Sequence, residues 1–165
     1  MEKRKDSKEA VIEVLNKARA MELLAIHQYM NQHYNLDNWD YGELAGKVKL
    51  IAIDEMRHAE MFAERVKELD GEPVTEFGGK VQKGQKVQVM FSFDAKLEDN
   101  TIDVYNQFAA VCRENGDSIS MKIFETMSGC FFSHICDPIK PDSSAAKSIM
   151  MMERFGRPPA AVTLE

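Results

Sequence analysis

A chain of 165 residues is long enough for one domain with a proper core, and 29% charged with 44% hydrophobic residues is ordinary for a globular protein. Acidic side chains outnumber basic ones by 27 to 21, and the resulting charge of −6 argues against a nucleic-acid-binding surface while suiting traffic in cations. No run of about 18 apolar residues occurs, so no membrane-spanning helix is expected.

The N-terminus, MEKRKDSKE, opens directly into a polar helical pattern rather than a secretory signal. Three cysteines, Cys112, Cys130 and Cys136, make no disulfide framework and point to a reducing compartment, with the cytoplasm as the expected location. The spacing predicts a first helix from about Asp6, where Asp6-x-x-Glu9 has the form of a capping box, to about Tyr34. Its apolar stripe reads Val11, Leu15, Ala18, Glu22, Ala25, Tyr29, and Glu22 breaks it. A short polar link at 35–40 predicts a second helix folded back antiparallel and ending near Leu69. That helix carries Leu44, Val48, Ile51, Glu55, His58, Phe62 and Leu69 at steps of mostly three and four. Glu55 and His58 thus stand where core residues belong, and a carboxylate in a core stripe needs a partner or a metal.

Residues 71–93, with Gly71, Pro73, Gly78, Gly79 and Gly84 among Val and Phe, show no sustained helical period. So long a connection predicts a crossover that carries the chain back along the bundle, with a short extended piece at 87–93. A third helix is expected over about 94–115, with Glu98, Ile102, Tyr105, Ala109 and Cys112 in line. Gly116 stops it, and Asp117 is the expected N-cap of a fourth helix whose stripe reads Ser120, Phe124, Met127, Phe131, His134. The expected fold class is all-α: a four-helix bundle with a long crossover between helices 2 and 3, forming one domain over 1–165.

Taken singly, each polar residue on these stripes has an ordinary reading, as a stripe-edge glutamate or a hydrogen-bonded core histidine. His27 and His33 fall off the stripes and read as surface or interface groups. Tyr29 and Tyr105 lie near enough in stripe position to donate hydrogen bonds or electrons, though core packing is the first expectation for both. Together, Glu22, Glu55, His58, Glu98 and His134 converge if the bundle closes. A carboxylate from each of two helices plus Glu-x-x-His from the others is the ligand plan of di-iron carboxylate bundles. Oxygen-rich sites with imidazole suit iron or manganese.

Three segments carry a resemblance: KARAMELLAIHQYMNQHY around Glu22, LIAIDEMRHAEMFAERVKELDGEP around Glu55, and DAKLEDNTIDVYNQF around Glu98. From about Val11 to Phe124 the chain resembles bacterioferritin, most of all those of sulfate-reducing bacteria. The resemblance implies a ferritin-like subunit of a homo-oligomeric spherical cage built from two-fold dimers, which oxidises Fe(II) with dioxygen or peroxide and stores ferric mineral. It implies that Glu22 and His58 hold one iron, that Glu98 and His134 hold a second, and that Glu55 bridges them. It also implies haem or a related iron porphyrin at the two-fold interface, with Met56 as axial ligand. From chemistry alone, Met56 reads as core or interface filler.

The fourth helix departs from the family pattern. His134 stands at the matching position, but Phe131 replaces the glutamate expected to bridge the irons. Cys130 and Asp137 lie one helical step from His134. Beyond this point, over 135–165, the resemblance stops: Pro138, Pro141, Pro158 and Pro159 oppose long final helices, and only 143–155 suits a short one. Two other functions fit the same pattern. One is a non-catalytic haem-binding and iron-carrying subunit. The other is a peroxide-scavenging di-iron protein of rubrerythrin type, against which the lack of a C-x-x-C pair argues.

Overall fold

The computed structural model describes residues 2–84 and 86–139, with side chains described for 5–84, 86–87 and 89–128. Four helices follow in order: α1 (Glu2–Asn38), α2 (Gly42–Glu68), α3 (Val87–Glu114) and α4 (Ser118–Ile139). Among the described residues there is no strand. The fold is all-α, as the periodicity predicts.

Each of the first three helices ends the same way. Asp40, Asp70 and Gly116 take left-handed φ values of 64°, 56° and 74°. The next residue then donates back into the last turn: Tyr41 N to Leu36 O, Gly71 N to Val66 O and Asp117 N to Cys112 O, at 2.8–2.9 Å. These are Schellman closures. Gly116 is legible as a stop because glycine bears no Cβ penalty there; the two aspartates carry no such obvious signal.

The crossover, described over 69–84, lies along α1 and is fastened to it in register. Asn16 exchanges hydrogen bonds with Glu72 O and Val74 N, and Arg19 Nε donates to Val74 O at 2.9 Å. Gly78 N donates to Ala20 O, and Gln28 both accepts from Gln82 N and donates to Gln82 O. The contact points climb α1 from residue 16 to 28, about 18 Å at 1.5 Å per residue. The chain therefore returns to the end of the bundle where α2 began, and α3 runs antiparallel to α1.

Helix α3 begins earlier than the sequence suggests. Residues 87–93, expected to be extended, are its first two turns. The β-branched Val87 and Val89 and the aromatic Phe91 mimic a strand. However, Val87, Met90 and Asp94 are buried at helical spacing and continue to Glu98. Tertiary burial overrides local propensity here. The expected N-cap Asp117 is in place: its Oδ1 accepts from Ser120 N at 2.9 Å. The divergent tail from 140 onward, including the helix expected at 143–155, lies outside the described residues.

The core has two apolar halves. One gathers Leu15, Phe62, Tyr105 and Phe124, whose rings pack at centroid distances of 5.2–5.6 Å. The other gathers Tyr29, Leu36, Leu44, Val48 and Met90. Along α1 and α2, Glu22, Glu55 and His58 fall between the two, in the middle of the bundle.

Candidate metal centre

Glu22 comes from α1, Glu55 and His58 from α2, and Glu98 from α3. All four are buried, with Glu55 completely so. Glu55 and His58 share a helix face because they are three residues apart. His58 Nδ1 meets Glu55 Oε2 at 2.7 Å and Glu22 Oε1 at 3.9 Å. Glu22, Glu55 and His58 each place a ligand atom within 4.8 Å of the others. Glu98 is not in that cluster but is close enough to interact electrostatically with Glu22 and Glu55.

Two tyrosines hold the carboxylates. Tyr105 OH donates to Glu22 Oε1, and Tyr29 OH donates to Glu98 Oε1. Both rings are core residues, as expected, and both hydroxyls are hydrogen-bond donors. One turn further along the α1–α3 seam, Gln32 Nε2 donates to the buried Asp94 Oδ1 at 2.6 Å. Neither Gln32 nor Asp94 stands out in the sequence reading. Asp94 looked like the start of a helix, where an acidic residue is unremarked, although it lies four residues before Glu98 on the same stripe.

Burial dominates the electrostatics. It pushes the Glu55 carboxyl up to about 8, with the Glu98 charge adding to the effect. Burial also raises Glu22 well above the ordinary carboxylate range, helped by Glu55 and opposed by the Tyr105 hydrogen bond. Glu98 rises to about 7 by burial against the Tyr29 hydrogen bond, and Asp94 to about 7 by burial against that from Gln32. Both tyrosines are raised far above 10, first by burial and then by the carboxylates beside them, so they stay protonated donors.

Such a site fits a divalent cation. Four carboxylates in one dry stretch repel one another, and among the described residues no Lys or Arg forms an ion pair with any of them. Glu98 Oε2 is buried and has no hydrogen-bond partner among the described residues. Oxygen donors with one imidazole are the donor set of iron or manganese.

The other expected positions fall elsewhere. Phe131 and His134 lie three residues apart within α4, but their side chains are outside the described residues. The same holds for Cys130 and Asp137. Met56 is 55% exposed on α2, turned away from the core. Beside it lies a cavity of about 380 Å³ against Arg19, Leu23, Ile26, Ala59 and Ala63. His27 is exposed and His33 half-buried; their ring nitrogens bond the carbonyls of Leu23 and Ala45.

A family model for the ferritin-like domain matches residues 12–128. The bacterioferritin of Desulfovibrio desulfuricans is 66% identical over 122 residues, 74% of this chain and 68% of that protein. The bacterioferritin of Brucella melitensis is 32% identical over 117 residues, 71% of this chain and 73% of its own length. Among solved structures, D. desulfuricans bacterioferritin, whose di-iron site has been seen in different catalytic states, superposes with a TM-score of 0.81 at 54% identity, covering 93% of this chain and 85% of that one. BfrA of Mycobacterium tuberculosis superposes at 0.73 and 29% identity, covering 88% and 87%. A buried three-ligand cluster on a bundle of this connectivity, together with these matches, identifies the chain as a member of the bacterioferritin family.

Proposed function

We propose that this chain is an iron-storage subunit that takes up Fe(II) at the buried carboxylate centre, oxidises it and passes Fe(III) to the interior of an oligomeric cage. The observation that carries this reading is the cluster of Glu22, Glu55 and His58, each with a ligand atom within 4.8 Å of the others and all three buried. Fe(II) is the substrate. Glu22 and His58 take one ion, Glu55 lies between positions, and Glu98 with His134 takes a second.

Fe(II) meets carboxyls that burial has kept partly protonated, so binding displaces protons and strengthens as pH rises. Each ion gives up one electron, and the pair reduces dioxygen, with two protons, to hydrogen peroxide. Tyr29 and Tyr105 fix the orientation of Glu98 and Glu22, because each hydroxyl occupies one carboxylate oxygen.

The second position is the weaker. Phe131 provides no bridging carboxylate, and one lost charge pair about 4 Å apart is worth on the order of 4 kcal/mol before desolvation at an effective dielectric of 20. Anaerobic Fe(II) titration should show one tight site per subunit, and Phe131→Glu should restore the second. Two equally tight irons in the unmodified protein would reject the asymmetry. No tight iron at all would reject the storage reading.

Met56 is suited to hold a haem-type porphyrin with its counterpart on a second subunit. The thioether is accessible, and Leu23, Ile26, Ala59 and Ala63 offer an apolar wall. A bound porphyrin would supply one-electron transfer at the subunit interface. Exposed Leu50, Met56 and Met61 on α2 and Ile119 on α4 are further surface that an assembled cage would cover. No described helix is long and apolar enough to cross a membrane, and a cytoplasmic location remains part of this proposal. The whole chain, 1–165, is taken as one ferritin-like domain.

A further inference from the structure

Arg19 and Glu22 stand about one turn apart on α1, and the Arg19 guanidinium crosses to two other elements at once. Its Nε donates to Val74 O of the crossover at 2.9 Å, and its Nη1 donates to Ala59 O of α2 at 2.5 Å. Ala59 is the residue after His58, so the second bond holds the turn of α2 that carries the imidazole. Ala59 and Ala63 line the same cavity as Arg19, and their small side chains leave the α2 main chain within reach.

The centre needs such a tie. Its ligand atoms come from two helices, and His58 Nδ1 lies 3.9 Å from Glu22 Oε1 across the seam. Without a metal, the Glu22 and Glu55 charges repel across the same seam. His33 on Ala45 O fastens α1 to α2 on one side of the cluster, and Arg19 on Ala59 O fastens them on the other.

The guanidinium acts here by its shape rather than its charge. Among the described residues Arg19 forms no ion pair, and both its acceptors are main-chain carbonyls. Nor is it among the charges that shift Glu22 or Glu55. A planar, rigid set of donors can meet two carbonyls in different directions, which an ammonium on a flexible stem cannot do. Asn16 supplies the comparison. It donates to Glu72 O and accepts from Val74 N, both at 3.0 Å, so it grips the same stretch of crossover. Its hydrogen bonds among the described residues stop there and do not reach α2.

We propose that Arg19 is a positioning residue of the metal centre: by bonding Ala59 O it sets the register of His58 against Glu22, while the crossover holds the guanidinium in place. This role presupposes the metal-centre reading above. Arg19→Lys keeps the charge and loses the planar donors, with Arg19→Gln as a second variant should the first fold poorly. Asn16→Ala loosens the crossover and spares α2. When the metal-free protein is titrated with Co(II), Arg19→Lys should weaken binding about tenfold and alter the visible bands of the bound ion, as expected when a group that orients a ligand is removed. Asn16→Ala should keep the affinity within about twofold and the bands unchanged, whatever it does to the melting temperature. In crystals of the metal-free variants, Arg19→Lys should displace His58 from Glu22 by more than about 0.5 Å, and Asn16→Ala should not. Equal effects of the two variants on Co(II), a Co(II) affinity and spectrum unmoved by Arg19→Lys, or a His58 that keeps its place overturns the proposal. A change confined to porphyrin absorption assigns Arg19 to the Met56 cavity and overturns it too. If the unmodified protein takes up no Co(II), the metal-centre reading fails, and the displacement of His58 still decides whether Arg19 sets its position.

Discussion

Between α2 and α4, Asp117 faces a guanidinium: Arg65 Nη2 donates to both its oxygens at 2.9–3.0 Å, and Ser120 adds its N–H and hydroxyl. Between α1 and α3, Glu22, Glu98 and Asp94 face two phenols and an amide. Partial burial alone would push Asp117 up, but the Ser120 and Arg65 contacts outweigh it and hold the carboxyl below its ordinary value. On the other seam neutral donors cannot offset deeper burial, so every carboxyl is raised. A carboxylate that carries its own cation supports the fold. A set without one costs the fold stability and gains a reason to bind metal.

The largest contrast should come from Glu55→Gln. It keeps the shape and removes the charge, so Fe(II) affinity should fall at least about a hundredfold, given ion-pair energies on the order of 4 kcal/mol. The metal-free protein should melt no lower at pH 8, and higher if the buried charge is as costly as it looks. Unaltered affinity in anaerobic titration would remove Glu55 from the centre.

Next in size is the pH dependence of the metal-free protein. Carboxyls raised in the native state hold protons that the unfolded chain has released. Their stabilising contribution is complete below the unfolded value of 4.5 and is lost as pH rises through about 7 for Glu98 and about 8 for Glu55. Asp117 works in the opposite sense: its contribution is present above 3.8 and is lost as pH falls through its lowered native value. Calorimetry should therefore show melting temperature declining from about pH 5 to 8, and a flatter profile with Co(II) bound. A metal-free curve that climbs to pH 8 would contradict the whole account of the α1–α3 seam.

Asp117→Ala should cost about 1–2 kcal/mol in urea denaturation, through the lost cap and the stranded Arg65, and should leave Fe(II) binding within twofold. The smallest effect is expected from Tyr105→Phe. Loss of its hydrogen bond should destabilise the protein by about 1 kcal/mol and weaken Fe(II) binding by about tenfold, because Glu22 loses its fixed orientation. If Tyr105→Phe binds iron as tightly as the unmodified protein, the phenol is only a core residue.

Most of the centre was legible because Glu22, Glu55, His58 and Glu98 interrupt stripes that are otherwise apolar at steps of three and four. That pattern survives any uncertainty about where helices end. The start of α3 was not legible, since Val87, Val89 and Phe91 suit a strand locally, and only the packing of Val87, Met90 and Phe91 with Leu36, Leu44 and Val48 makes the segment helical. Losing those two turns also hid Asp94, and with it Gln32. The crossover's existence followed from composition, but its register along α1 depends on side-chain-to-backbone bonds from Asn16, Arg19 and Gln28 that no periodicity announces. The left-handed aspartates escaped notice for a similar reason: glycine advertises that conformation, whereas aspartate has many other uses.

The stepwise fastening of the crossover to α1 also bears on how the chain finds its fold. Closing an unattached loop of this length would cost entropy all at once, when α3 docks. Here each tie, from Asn16 to Gln28, fixes a few residues against a helix already paired with α2, so the loss is spread over small steps. The α1–α2 hairpin and its loop form a largely local unit, which favours early formation. Glu22, Glu55 and His58 would then be assembled before α3 delivers Glu98. Hydrogen exchange during refolding should show the amides of α1 and α2 protected before those of α3; the reverse order would mean that the loop is tied down last.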